Sequence, residues 1–215
     1  MTLVKICGIT NLADALASAE AGADMLGFNF YPKSPRYITP AAAARIDEQL
    51  PEQILQVGIF VNEANPARVA ELARAAKVTA VQLHGDETAE YCRALRDEFM
   101  VIKAVRVGRD FSPAQAKTFS VDAVLLDAFS TAAYGGTGRT FDWSVASETR
   151  ALVPRLFLSG GLAPENVGEA IAQVRPYAVD ACSQLERAPG EKDHARVRAF
   201  VAAVRRADQI KGESS

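Results

Sequence analysis

Short β-branched or apolar runs alternate with alanine-rich amphipathic segments along the whole chain, and this alternation limits the fold more than any other feature. Strand candidates fall at 3–7, 24–30, 54–61, 79–83, 100–105, 121–126, 155–159 and 178–181. Helix candidates lie between and after them, at 11–21, 40–50, 65–76, 87–98, 112–118, 143–151, 164–173 and 193–206. Several open on capping or first-turn proline signals such as NPARV, DETAEY and SPAQA. Strands separated by helices pair in parallel, because a parallel pair needs a crossover. Eight such units in 215 residues fit a closed (β/α)8 barrel better than an open doubly wound sheet. No linker interrupts the pattern, so a single barrel domain is expected over 1–210, with the tail KGESS, 211–215, disordered. The one long irregular stretch, AFSTAAYGGTGRTFD at 128–142, is expected to be a mobile loop after the sixth strand.

Composition excludes several classes of function. A formal net charge of −2 provides no field to recruit nucleic acid or an anionic membrane, so a charged ligand must be held by a local site. The longest apolar runs, such as ILQVGIFV at 54–61, are strand-sized, and the first twenty residues lack a signal-peptide pattern. A cytoplasmic protein is expected. Three cysteines, Cys7, Cys92 and Cys182, show neither CxxC nor His/Cys ligand spacing, which disfavours a disulfide framework or a zinc site, and no metal is expected.

In barrels of this type the active site is built at the carboxyl ends of the strands. The exits here carry Cys7, the segment NFYPKSPRY, His84, Asp127, Ser159-Gly160-Gly161, and Asp180 with Ser183. A lone cysteine is more often a buried filler than a reagent. Cys7, however, sits at a strand exit beside a helix start near Thr10-Asn11, with Lys5 two residues earlier on the same face, and both favour a thiolate. Cys92, inside a helix, is expected in the core; Cys182 is either packed or at the site's edge. His84, between VQL and GDE, ends a strand and is expected to line the pocket, whereas His194 is expected in solvent. Asp127 ends an apolar run, where an acid needs a reason. A Gly160-Gly161 turn followed by APENV allows backbone N–H groups and a helix N-terminus to meet a phosphate, with Ser183 close by. Arg36, between prolines in YPKSPRY, suits a second anion such as a carboxylate, although Lys33 and Arg36 also read as a solvated loop.

Taken together and in order, KICGIT, GFNFYPKSPRY, VQLHGDE, LLDA, YGGTG, FDW and LSGGL…ENV resemble the phosphoribosylanthranilate isomerases, (β/α)8 enzymes of tryptophan biosynthesis. The resemblance implies an Amadori rearrangement of N-(5-phosphoribosyl)anthranilate without cofactor or metal. It implies Cys7 as general base, Asp127 as general acid and Arg36 as the holder of the anthranilate carboxylate. His84 and Asp180 are expected to touch substrate, and Gly160, Gly161, Ser183 and Gln184 its phosphate. A small phosphorylated molecule is then the partner, with no role for nucleic acid or membrane; monomer and homodimer both remain open. The chemistry suits these residue types: an acid opens the furanose, the resulting iminium acidifies the C2 hydrogen, and a thiolate removes it. One departure stands out. The family pattern D-V-S-S-G-V-E…P-G-x-K-D reads DACSQLERAPGEKD here, with Gln184 in place of glycine, which questions the backbone geometry beside the phosphate. The rival readings are a phosphosugar isomerase of the histidine-biosynthesis type, which has an aspartate where Cys7 stands, and a non-catalytic phosphate-binding barrel.

Overall fold

A computed structural model describes residues 1–128 and 142–213, the last three in backbone only. Eight parallel strands close into a barrel in sequence order: β1 (Leu3–Cys7), β2 (Met25–Asn29), β3 (Leu55–Phe60), β4 (Ala80–Leu83), β5 (Met100–Val107), β6 (Ala123–Ala128), β7 (Leu156–Leu158) and β8 (Ala178–Ala181). The barrel shuts through β8 against β1, with Lys5 opposite Asp180 and Ile6 opposite Ala181. Each strand is followed by a helix: α1 (Leu12–Glu20), α2 (Pro40–Asp47), α3 (Pro66–Ala75), α4 (Ala89–Arg93), α5 (Pro113–Lys117), α6 (Trp143–Leu152), α7 (Val167–Val174) and α8 (His194–Glu213). The (β/α)8 architecture expected from the alternation is the one observed.

Local chemistry starts most of these helices. Asn11, Thr39, Asn65 and Thr88 each accept a backbone N–H of the first turn, and Pro40 and Pro66 occupy positions whose N–H would find no partner. Packing then decides which residues face where. Side chains alternate across a strand, so every second residue enters the barrel and the others meet the helices. Val4, Ile6, Leu26 and Phe28 join the large outer core, while Met25, Val57, Ile102, Leu125 and Phe157 form a separate plug inside the barrel. Burying each of these larger apolar side chains contributes about 1.5–3 kcal/mol. The inward series on four strands changes from apolar at the bottom to polar at the top: Leu3, Lys5, Cys7; Ala123, Leu125, Asp127; Phe157, Ser159; Ala178, Asp180, Cys182. That gradient places the polar groups at the carboxyl end.

Several boundaries differ from the sequence expectation, each for a long-range reason. The fourth helix spans Ala89–Arg93 rather than 87–98. Glu87 is withdrawn from it because its carboxylate accepts from Asn62 N and Gly85 N and pairs with Lys103 at 3.0 Å. Beyond Arg93 the chain continues in tighter turns, Leu95 N to Cys92 O and Arg96 N to Arg93 O. α7 begins at Val167 rather than 164, since Asn166 spends its side chain on Ala163 N and Gly161 O. β6 runs two residues further than expected, so Asp127 lies within the strand, opposite Arg106. α8 continues to Glu213, so the backbone of 211–213 is helical, while 214–215 fall outside the described residues. Of the mobile loop expected over 128–142, Ala128 ends β6 and Asp142 caps α6, while 129–141, with the YGGTG motif, lie outside the described residues. Among the described residues no helix is long and apolar enough to cross a membrane, and no His/Cys/Asp/Glu group could hold a metal ion.

Candidate active site

The β1 and β8 exits form one charged cluster. Lys5, fully buried, donates to Asp180 Oδ1 at 2.7 Å, and Ser159 on β7 donates to Asp180 Oδ2 at 3.1 Å. Burial disfavours the Lys5 ammonium, but Asp180 and Cys7 outweigh that cost and hold its pKa above the ordinary value. One layer higher stand the half-buried thiols of Cys7 and Cys182, the second in contact with Glu186 Oε1 at 3.8 Å and Lys192 Nζ at 3.9 Å. The neighbouring Cys182 thiol lowers the Cys7 pKa against the opposing effect of burial, with Lys5 and Lys192 adding to the depression and Asp180 working against it. The nearness of Cys7, followed by burial, pushes Cys182 well above the usual thiol range. Cys7 is therefore the sulfur that ionises, while Cys182 keeps its proton and donates it to Glu186 Oε1 at 3.8 Å. Asp180, expected to touch substrate, is committed to Lys5 and Ser159, although it also lines the cleft described below.

Asp127 stands on β6, separated from β1 by only β7 and β8 on one side and by four strands on the other, so the two exits face each other across the mouth. Its side chain is nearly buried and accepts from Ala128 N at 2.9 Å. His84, just past β4, approaches Asp127 Oδ2 with Nε2 at 3.3 Å, outside ideal hydrogen-bond alignment. Its Nδ1 lies 2.9 Å from the Gln82 amide nitrogen. With Nδ1 accepting from that amide, the ring proton sits on Nε2 and points at Asp127. His84 thus lies within the mouth, with a ring nitrogen turned toward the acid.

Between these exits lies a small cleft lined by Asp127, Gly160, Gly161, Asp180, Cys182, Ser183 and Gln184. Gly160 and Gly161 have φ of +87° and +68°, left-handed conformations that glycine adopts without a Cβ clash. The turn exposes backbone where a phosphate oxygen could approach. The helix N-terminus expected beside these glycines starts only at Val167, and a 3-10 turn at Ser183–Leu185 is nearer the cleft. Gln184 is not among the positive-φ residues, so the backbone there accepts a side chain, which explains how this chain departs from glycine at that position.

Arg36 is folded against the cysteine cluster. Its Nε and Nη2 grip the Glu186 carboxylate at 2.9 and 2.7 Å, and Nη1 has no hydrogen bond among the described residues. A Cβ on Gly8 would stand 2.7 Å from Arg36 Cδ, so the backbone at Gly8 must stay bare for the guanidinium to lie there. A short antiparallel pair, Glu186–Ala188 with Glu191–Lys192, sets Lys192 opposite Glu186, and their side chains meet at 2.9 Å. Sequence reasoning assigned no role to Glu186, Lys192 or Ser159 and left Cys182 undecided. Period-two alternation was the available signal for Cys182, which lies two residues past inward Asp180 as Cys7 lies two past Lys5. Nothing local foretold the Arg36–Glu186 pair.

The chain matches the family model described as N-(5'phosphoribosyl)anthranilate (PRA) isomerase over residues 4–203. It is 49% identical over 201 residues to N-(5'-phosphoribosyl)anthranilate isomerase of Thermotoga maritima, covering 94% of this chain and 97% of that protein. Identity to the Geobacter sulfurreducens protein of the same name is 52% over 201 residues, with the same coverage. Among solved structures, the Thermotoga maritima phosphoribosyl anthranilate isomerase superposes with a TM-score of 0.89 at 46% identity, over 95% of this chain and 99% of that one. A phosphoribosyl anthranilate isomerase in complex with reduced 1-(o-carboxyphenylamino)-1-deoxyribulose 5-phosphate superposes with a TM-score of 0.86 at 45% identity, over the same shares.

Proposed function

Because this chain belongs to the N-(5'-phosphoribosyl)anthranilate isomerase family, we propose that Cys7 and Asp127 are the base and the acid of its reaction. The chain catalyses the Amadori rearrangement of N-(5'-phosphoribosyl)anthranilate to 1-(2-carboxyphenylamino)-1-deoxyribulose 5-phosphate, an aldose–ketose isomerisation in tryptophan biosynthesis. The observation that carries the assignment of roles is the placement of a depressed-pKa thiol and a buried carboxyl on opposed strand exits, with a glycine-rich cleft between them.

Asp127 protonates the furanose oxygen and the C1–O bond breaks, leaving an iminium at C1. The proton is drawn from the Asp127–His84 pair, whose oxygen and nitrogen are 3.3 Å apart. His84 acts through Asp127 and is a positioning residue. The iminium withdraws electrons from C2, and the Cys7 thiolate takes the C2 proton to give an enolamine, which tautomerises to the ketone. Lys5 and Cys182 stabilise the thiolate before that step. Backbone groups at Gly160-Gly161 and Ser183-Gln184 hold the phosphate, and Arg36 Nη1 meets the carboxylate. Holding both ends converts binding energy into orientation of the sugar between acid and base. The direct test is to add the purified protein to freshly made phosphoribosylanthranilate and follow anthranilate fluorescence, with the aminoimidazole counterpart run alongside. Rapid quenching is expected with the first compound alone; turnover of only the second would assign the chain to the histidine-type reaction.

Two further results are expected at the ligand ends. Arg36→Ala should raise KM by roughly ten- to hundredfold with a smaller change in kcat, since the carboxylate contact exists in ground and transition states alike. An unchanged KM with kcat alone reduced would move the carboxylate elsewhere. Gln184→Ala should bind product within about threefold of wild type, because backbone donors do not depend on side-chain identity. Gly161→Val should weaken binding by at least about tenfold, since it sets a branched side chain at positive φ on the cleft wall. Product titration by calorimetry separates these outcomes, and a large loss in Gln184→Ala would mean that its side chain holds the phosphate.

A further inference from the structure

We propose that Cys7 and Cys182 form a reversible disulfide that switches the enzyme off under oxidising conditions. The consequence for turnover rests on Cys7 being the base; the bond itself does not. Lys5 and Asp180 are register partners on adjacent strands with their side chains joined at 2.7 Å inside the barrel. Cys7 and Cys182 each lie two residues further along, immediately past the register pair Ile6 and Ala181, with Cys182 the first residue after β8. Neighbouring strands lie about 4.8 Å apart, within the Cα separation that a disulfide accepts. Both sulfurs crowd the β1 exit: a Cβ built on Gly8, the residue after Cys7, would lie 2.9 Å from Cys182 Sγ, and one on Gly27, the register partner of Cys7, would lie 3.0 Å from Cys7 Sγ. Both sulfurs are half-buried, and Cys182 lines the open cleft, so a small oxidant can reach them.

The two thiols are also unequal in the way that sulfur oxidation requires. Cys7 is the stronger acid of the pair, its thiolate favoured by the charges of Lys5 and Lys192, while Cys182 keeps its proton until it is needed. Hydrogen peroxide is the oxidant class. The Cys7 thiolate attacks it, an S–O bond forms, the O–O bond breaks, and hydroxide leaves and takes a proton to become water. Cys182 then loses its proton and attacks the sulfenic sulfur; the S–S bond forms, the S–O bond breaks, and a second water departs. Two electrons pass from the sulfurs to peroxide. A dithiol reverses the step by exchange and becomes a disulfide itself. Cys92 is fully buried on α4, its thiol pushed up to about 11 by burial, and takes no part.

The test treats fully reduced protein with hydrogen peroxide and reads mass and turnover separately. Wild type is expected to lose about 2 Da, to fall from three titratable thiols to one when denatured, and to yield a Cys7–Cys182 cross-linked peptide. Turnover should drop by at least about tenfold and return with dithiothreitol. Cys182→Ser, compared with its own untreated sample, should instead gain about 32 Da at Cys7 and lose activity that dithiothreitol does not restore. A wild type that gains oxygen and yields no cross-linked peptide overturns the proposal. A cross-linked protein with full turnover overturns the switch and, with it, the assignment of Cys7 as base.

Discussion

Cys7→Ala is expected to lower kcat/KM by about 10²- to 10⁴-fold, the range that a positioned general base supplies, with product affinity kept. The fold should hold, because the change removes one half-buried sulfur and leaves the Lys5–Asp180 pair intact; circular dichroism and a melting curve shifted by only a few degrees would verify this. Wild-type turnover should also carry the mark of the thiolate. The base is active when deprotonated, so kcat/KM rises with pH, and its midpoint should lie below the ordinary thiol value of about 8.5, because the folded-state pKa is lowered. Removing the neighbouring thiol in Cys182→Ala takes away the largest cause of that depression and should move the midpoint upward. Near-normal turnover in Cys7→Ala would remove the thiol from the mechanism, and an unmoved midpoint in Cys182→Ala would mean that Cys182 does not tune Cys7.

Asp127→Asn should be nearly as damaging, at about 10²- to 10⁴-fold in kcat, because an amide has the shape of the acid but no proton to give to the ring oxygen. Its geometry can persist, since the amide oxygen can still accept from Ala128 N. Product should bind within about threefold of wild type, which separates lost chemistry from lost structure. His84→Gln, which retains a hydrogen-bonding side chain beside Asp127, should keep more activity than Asp127→Asn. Stopped-flow fluorescence with excess enzyme resolves ring opening from product release. A fully active Asp127→Asn would point to a different acid.

The eight-unit barrel was legible because helices and strands write their periods locally: apolar runs of strand length and capped amphipathic stretches need no knowledge of distant residues. Cys7, His84, Asp127 and Asp180 were legible for the same reason, each ending or following an apolar run. Where Glu87 leaves α4 to meet Asn62, Gly85 and Lys103, the local signal for a longer helix lost to long-range partners.

By itself, then, the sequence determined the order of the strands, the residues at their exits and, through a motif set in fixed order, the family. The tertiary structure alone decided which exits meet. Closing β8 onto β1 brings Asp180 to Lys5 and Cys182 to Cys7, and a turn late in the chain clamps Arg36 with Glu186, 150 residues away. These contacts depend on charge, desolvation and sulfur–sulfur proximity between segments that share no periodicity. The sequence sets where a side chain points along its own strand, while the charge on Cys7 is set by neighbours that only barrel closure supplies.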